Sequence, residues 1–132
     1  NWIVGHTNRF KAAVTQRSIS NWVSFYGVSD IGYYFSEWQH GADMTNVERL
    51  WDFSPLKYAK NVETTLLILH SENDLRCPME QAEQLFITLK SMGKETELVR
   101  FPNADHNLSR TGLPNLRIAR LTEITDWFER YL

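Results

Sequence analysis

Thr64-Thr65-Leu66-Leu67-Ile68-Leu69-His70-Ser71-Glu72-Asn73-Asp74-Leu75-Arg76-Cys77-Pro78 decides how this chain is read, because an apolar run stops abruptly in a cluster of polar and ionisable side chains. The run is β-branched at its start and apolar without alternation. It therefore predicts a strand over 64–69 that is covered on both faces. A second cluster, Phe101-Pro102-Asn103-Ala104-Asp105-His106, follows the next strand-like run, Thr96–Phe101. Two strands ending in loops, one offering an acid and the other a histidine, make the back half of a charge relay in which Asp orients His. The front half, a serine on a sharp turn, is not visible in the sequence.

Working outward, 10–16 reads as a short buried strand entering the polar loop Arg17-Ser18-Ile19-Ser20-Asn21. An aromatic-rich region from Trp22 to Trp51, punctuated by Gly27, Gly32 and Gly41, contains helical pieces without clear bounds. Ser54-Pro55 reads as the cap and first residue of a brief helix through Ala59. Pro78 is expected to open the next helix, with Met79, Ala82, Leu85, Phe86 and Leu89 at helical spacing and Gly93 closing it. A last helix is expected from about Leu116, its apolar stripe formed by Ile118, Leu121, Ile124, Phe128 and Tyr131. Strand, helix, strand, helix with tight connections implies parallel strands and right-handed crossovers. Active groups in such sheets gather at the carboxyl ends of the strands, where Asp74 and His106 both fall.

Composition narrows the function classes. The chain has 132 residues, 42% hydrophobic and 23% charged, which describes one globular domain over 1–132. A net charge of -2 with scattered basic residues offers no field for nucleic acid. No apolar stretch of spanning length points to a membrane, and the one cysteine, Cys77, has no partner for an internal disulfide, so a cytoplasmic setting is expected. The opening Asn1-Trp2-Ile3-Val4-Gly5-His6 places large apolar residues at once and reads as an element cut, not begun.

Five segments carry a resemblance: Asn1-Trp2-Ile3-Val4-Gly5-His6-Thr7, Arg17-Ser18-Ile19-Ser20-Asn21-Trp22, Ser54-Pro55, the run His70 to Pro78, and His106-Asn107-Leu108-Ser109-Arg110-Thr111-Gly112. In that order they are similar to the C-terminal portion of an α/β-hydrolase fold, parallel strands with flanking helices, in peptidases of the prolyl oligopeptidase family. The acylaminoacyl-peptidase branch is the most similar. The resemblance implies a Gly-Gly-Ser-Tyr-Gly-Gly nucleophile elbow immediately upstream of the segment matching Asn1. It also implies that Asp74 is the catalytic acid and His106 the general base. Histidine, with an ordinary pKa of about 6.5, can take a hydroxyl proton at neutral pH and return it to a leaving amine. No cofactor is implied.

The same resemblance makes Arg76 a donor to a carbonyl of the bound peptide, and Cys77 a small apolar wall of the specificity pocket. Trp22, Phe25 and Tyr26, with Tyr33, Tyr34, Phe35 and Trp38, would line an apolar acyl or side-chain pocket. Each assignment has a plainer alternative. Asp74 can simply cap the helix at Pro78, Arg76 can pair with Glu72 or Glu80, and the aromatic residues can be core and lid packing. A Cys77 nucleophile is disfavoured because burial and a nearby carboxylate both suppress its thiolate. Alternation of His70, Glu72 and Asp74 suggests a metal only if the strand continues, and the run is expected to leave strand geometry at Ser71. Family members usually carry Gly where this chain has Ser71, so a less free turn before Asp74 is expected, and an acid where it has Ala104, whose absence removes a secondary contact near His106.

The expectation is therefore the C-terminal fragment of a serine-type peptidase acting on peptides or acyl-peptides, inactive alone because the serine is absent. A carboxylesterase or thioesterase of the same fold, or a noncatalytic module binding through its aromatic groove, are the alternatives. The expected partners are a peptide or acyl-peptide substrate and the upstream part of the same domain. Self-association through an open sheet edge is also expected.

Overall fold

The computed structural model describes residues 1–132 and contains one parallel three-stranded sheet. The strands are β1 (Ala12–Gln16), β2 (Thr65–Ser71) and β3 (Thr96–Phe101), in spatial order β1-β2-β3. The register sets Ala12 opposite Thr65, and Ser71 opposite Phe101. Between β1 and β2 lie α1 (Trp22–Val28), α2 (Gly32–His40), α3 (Val47–Asp52) and a 3-10 helix over Pro55–Asn61. Helix α4 (Met79–Ser91) crosses from β2 to β3, and α5 (Leu108–Thr111) and α6 (Pro114–Tyr131) close the chain. No helix is long and apolar enough to cross a membrane.

β2 is buried along almost its whole length because successive side chains serve two separate cores. Leu66 and Ile68 join Ala82, Leu85 and Leu89 of α4 and Ala59 and Val62 of the 3-10 segment. Leu67 and Leu69 face the other way, onto Phe101, Ala104, Leu108 and Trp127 of α6. β2 is thus covered on both faces, which accounts for its lack of alternation.

Four local expectations need correction. β2 continues through His70 and Ser71, because both pair with β3 opposite Arg100 and Phe101. Pro78 stands just outside α4 with extended backbone (ψ 149°), and Met79 is the first helical residue. Ser54 and Pro55 take the N-cap and first positions of the 3-10 segment as expected, but the Ser54 side chain makes no cap bond; its hydroxyl donates to the Leu50 carbonyl and accepts from the Trp22 amide. On α6 the apolar stripe is rotated. Ile118 and Leu121 are 65% and 55% exposed, while Leu116, Ala119, Ile124, Trp127, Phe128 and Tyr131 face the sheet. Trp127 offers the largest apolar area, and seating it turns the helix.

Two glycines do specific work. Gly93 takes φ +70°, and its own amide and the next satisfy the end of α4: Gly93 N–H donates to the Lys90 carbonyl and Lys94 N–H to that of Leu89. Gly32 opens α2 where a Cβ would sit 2.3 Å from the Tyr26 carbonyl oxygen, so only glycine lets α2 start this close to α1. Gly27, expected to break the chain, lies inside α1.

Candidate active site

The loops after β2 and β3 are laced together by backbone before any side chain contributes. Glu72 N–H donates to the Phe101 carbonyl at 3.0 Å and Asn73 N–H to the Ala104 carbonyl at 2.9 Å. Asn103 makes the turn after β3 with φ 55°, a left-handed conformation asparagine tolerates better than most residues. Ser71 is an ordinary strand residue. The less free turn expected there does not arise, and the left-handed positions are Asn103 and Arg17.

This lacing brings the acid and the imidazole together. Asp74 has a fully buried side chain, and its Oδ2 lies 2.9 Å from His106 Nδ1. A carboxylate only accepts, so Nδ1 carries the proton and Nε2 of the neutral ring is left as an unprotonated acceptor. No side chain of the chain hydrogen-bonds to that Nε2. Asp74 Oδ1 also accepts from the Arg76 amide at 3.0 Å and the Cys77 amide at 2.8 Å. Asp74 thus does not cap α4; its Oδ1 holds the turn before Pro78, and Oδ2, with Oδ1 at 3.2 Å, faces His106 Nδ1.

Arg17 reaches the same place from the end of β1. Its backbone takes φ 42°, and its guanidinium donates to the His106 carbonyl at 3.0 Å. For a residue with a Cβ that conformation costs about 1–2 kcal/mol, and here it aims the side chain across the strand ends. Arg17, Asp30, Asn73, Arg76 and Arg110 border an open groove of about 450 Å³ beside His106.

The remaining sequence-nominated residues divide. Arg76 lines the groove, paired with Asp30 at 2.7 Å and not with Glu72 or Glu80. Glu72 instead binds Arg100 at 3.0 Å, and Glu80 accepts from the Ser24 hydroxyl. Cys77 is buried, and burial followed by the Asp74 charge pushes its thiol up to about 12. It is a buried thiol without thiolate character. Phe25 is fully buried, its ring edge-on to Trp22 at 5.0 Å, so it is core packing and not a surface open to a ligand. Trp22 is half-buried against His40 and Phe25, and Tyr26 donates its hydroxyl to Glu37 at 2.8 Å. None of these three lines the groove beside His106. His70, Glu72 and Asp74 do not converge, since Glu72 turns out to Arg100 while His70 donates from Nε2 to the buried Cys77 carbonyl.

Sequence reading missed Gln81. Fully buried on α4, it accepts from the Ser20 and Asn21 amides at 3.0 and 2.8 Å and so fixes the loop leading into α1. A glutamine among the apolar positions of α4 was the available signal. Asp30 and Arg17 gave no local signal, because their partners are 46 and 89 residues away.

Comparison with known proteins places the chain in a family and a fold. A family model for the prolyl oligopeptidase family matches residues 1–132. An uncharacterized peptidase, YuxL, of Bacillus subtilis (strain 168) is 73% identical over 133 residues, covering 100% of this chain and 20% of that protein. The acylaminoacyl peptidase structure from Pyrococcus horikoshii superposes with a TM-score of 0.95 at 37% identity, covering 99% of this chain and 21% of that one. A structure of acylaminoacyl peptidase in complex with Z-Gly-Gly-Phe-chloromethyl ketone gives the same TM-score, identity and coverage. The chain thus spans about a fifth of the length of the proteins it matches. It shares their α/β-hydrolase architecture, its relatives are peptidases, and it belongs to the prolyl oligopeptidase family.

Proposed function

We propose that this chain supplies the acid and base of a serine-type peptidase site, Asp74 and His106, and that the nucleophilic serine comes from polypeptide outside these 132 residues. The observation that carries the reading is the 2.9 Å contact between a fully buried Asp74 carboxylate and His106 Nδ1, which leaves Nε2 free as a base. His106 takes the serine proton at Nε2 during attack on the scissile carbonyl and returns it to the leaving amine. Asp74 holds the ring and balances the imidazolium. Arg76, oriented by Asp30, donates to a substrate carbonyl in the groove. Peptides, N-acylated ones among them, are the proposed substrates, as the acylaminoacyl peptidase neighbours and the peptidyl ligand of one of them suggest. β1 pairs only with β2, and its other edge is the proposed seat for the rest of the sheet or for a second copy.

The test compares three preparations on acyl-amino-acid anilides and simple esters. The 132-residue chain alone is expected to show no measurable hydrolysis. The same chain joined to, or mixed with, the upstream polypeptide carrying Gly-Gly-Ser-Tyr-Gly-Gly is expected to hydrolyse the anilides, and His106→Ala to abolish that activity. Robust hydrolysis by the isolated chain that is lost in Cys77→Ala would overturn the reading, as would unchanged activity in His106→Ala. Hydrolysis confined to esters would move the assignment to an esterase.

A further inference from the structure

Near the end of β2 two buried polar atoms have no partner within the chain: Nδ1 of His70 and Nε of Arg120. Both residues line one cavity of about 20 Å³, together with Gln16, Arg17, Ser71 and Ser109. A single water needs roughly 10–15 Å³ of such space, so the cavity suits one. Proton positions decide what it can hold. His70 Nε2 lies 2.6 Å from the Cys77 carbonyl oxygen, which only accepts, so Nε2 carries the proton and Nδ1 presents a lone pair. Arg120 Nε only donates, and another nitrogen of the same guanidinium is engaged with Gln16 at 2.6 Å. Burial, aided by the nearby His106, holds the His70 imidazole below its ordinary pKa against the opposing Cys77 carbonyl, Asp74 and Glu83, so the ring does not gain a second N–H near neutral pH. A water accepts from Arg120 and donates to His70. An anion would suit Arg120 but meets the lone pair of Nδ1.

We propose that one water bridges Arg120 Nε and His70 Nδ1, fixing His70 as the Nε2–H tautomer, and that His70 is thereby a positioning residue for Asp74. The linkage is short. His70 holds the Cys77 carbonyl, the Cys77 amide donates to Asp74 Oδ1 at 2.8 Å, and His70 Nε2 stands 3.8 Å from Asp74 Oδ2. The ring thus fixes one side of the turn that presents the carboxylate to His106. The positioning half rests on the reading of Asp74 and His106 as acid and base, whereas the water half does not.

Nitrogen-15 correlation spectra of the histidines in the 132-residue chain test the water half. The expected result is a neutral Nε2–H tautomer for His70 from pH 8 to 6, with cross-relaxation from a long-lived water to its ring that disappears in Arg120→Met. An Nδ1–H tautomer, a His70 signal that shifts on chloride addition, or a water signal unchanged in Arg120→Met overturns it. For the positioning half, His70→Leu in the longer, active polypeptide is expected to lower kcat by up to about 10²-fold. It should also displace the His106 Nδ1–H resonance, and His70→Gln, which keeps an N–H for the Cys77 carbonyl, should recover both. Wild-type kcat and resonance in a folded His70→Leu chain overturn positioning while leaving the acid–base reading intact. Unchanged activity in His106→Ala would strike at that reading itself.

Discussion

The carboxyl ends of β2 and β3 and the helical stretch from α1 to α3 hold their side chains in opposite ways. At the strand ends, backbone amides of Glu72 and Asn73 fix two loops against one another, those of Arg76 and Cys77 hold Asp74 within its own loop, and that buried carboxylate completes the join. In the helical stretch, Phe25 and Leu50 are buried, while Tyr33, Tyr34 and Trp38 stand in solvent, with stacked and edge-on rings between. Polar loops tied by directional hydrogen bonds define one geometry, and aromatic contacts tolerate several. Chemistry needing tenths of an ångström belongs to the first region. Adaptable contact belongs to the second.

Substitution at the strand ends should separate the regions most sharply. In the longer polypeptide, His106→Ala is expected to lower kcat about a millionfold. Asp74→Asn is expected to lower it about 10⁴-fold, because the amide can stabilise the wrong tautomer. Steady-state hydrolysis of an acyl-amino-acid anilide measures both, and a loss below a hundredfold in either would erase the distinction.

Within the helical stretch the contrast is one of stability. Phe25→Ala should destabilise by about 3–5 kcal/mol, whereas Trp38→Ala, at a side chain 79% exposed, should change stability by less than about 0.5 kcal/mol. Urea denaturation of each variant checks this, and equal effects would mean the two rings are not differently packed.

pH provides a third measure. His70 is neutral when folded, its pKa lowered chiefly by burial, while the unfolded chain titrates near the ordinary value of about 6.5. As pH falls through that value the unfolded state binds a proton the native state refuses, so this contribution is full above it and fades below. Urea midpoints at pH 7.5 and 5.5 are therefore expected to fall further in the wild type than in His70→Leu. The smallest effect is expected at Asp30. Its exposed pair with Arg76 should contribute less than about 1 kcal/mol to folding, yet Asp30→Asn should raise KM by freeing the guanidinium.

The strands were legible in outline from the sequence. Thr96–Phe101 matches its expected span, while β2 runs two residues further because pairing with β3, invisible to periodicity, extends it. On α6, two apolar stripes compete in the same residues, and only the sheet chooses Trp127 over Ile118. The meeting of Asp74 and His106 was readable from two strand-end clusters one crossover apart. Arg76's partner was not, because Asp30 lies 46 residues away inside the aromatic stretch, and nothing local distinguishes a core Phe25 from an exposed Tyr33.

Asp74 serves two masters, and this affects how descendants of such a fold should be judged. One oxygen holds the turn to Arg76 and Cys77, a duty an asparagine would discharge equally well, and the other faces the imidazole. A lineage that gave up hydrolysis would still be under selection to keep an acid or amide here, since losing it would orphan two amides. The imidazole of His106 bonds only to Asp74, while Arg17 grips its main chain, which any residue provides. Drift at the histidine is therefore the earlier and more truthful sign of retirement from catalysis, and an intact acid alone is poor testimony of a working enzyme.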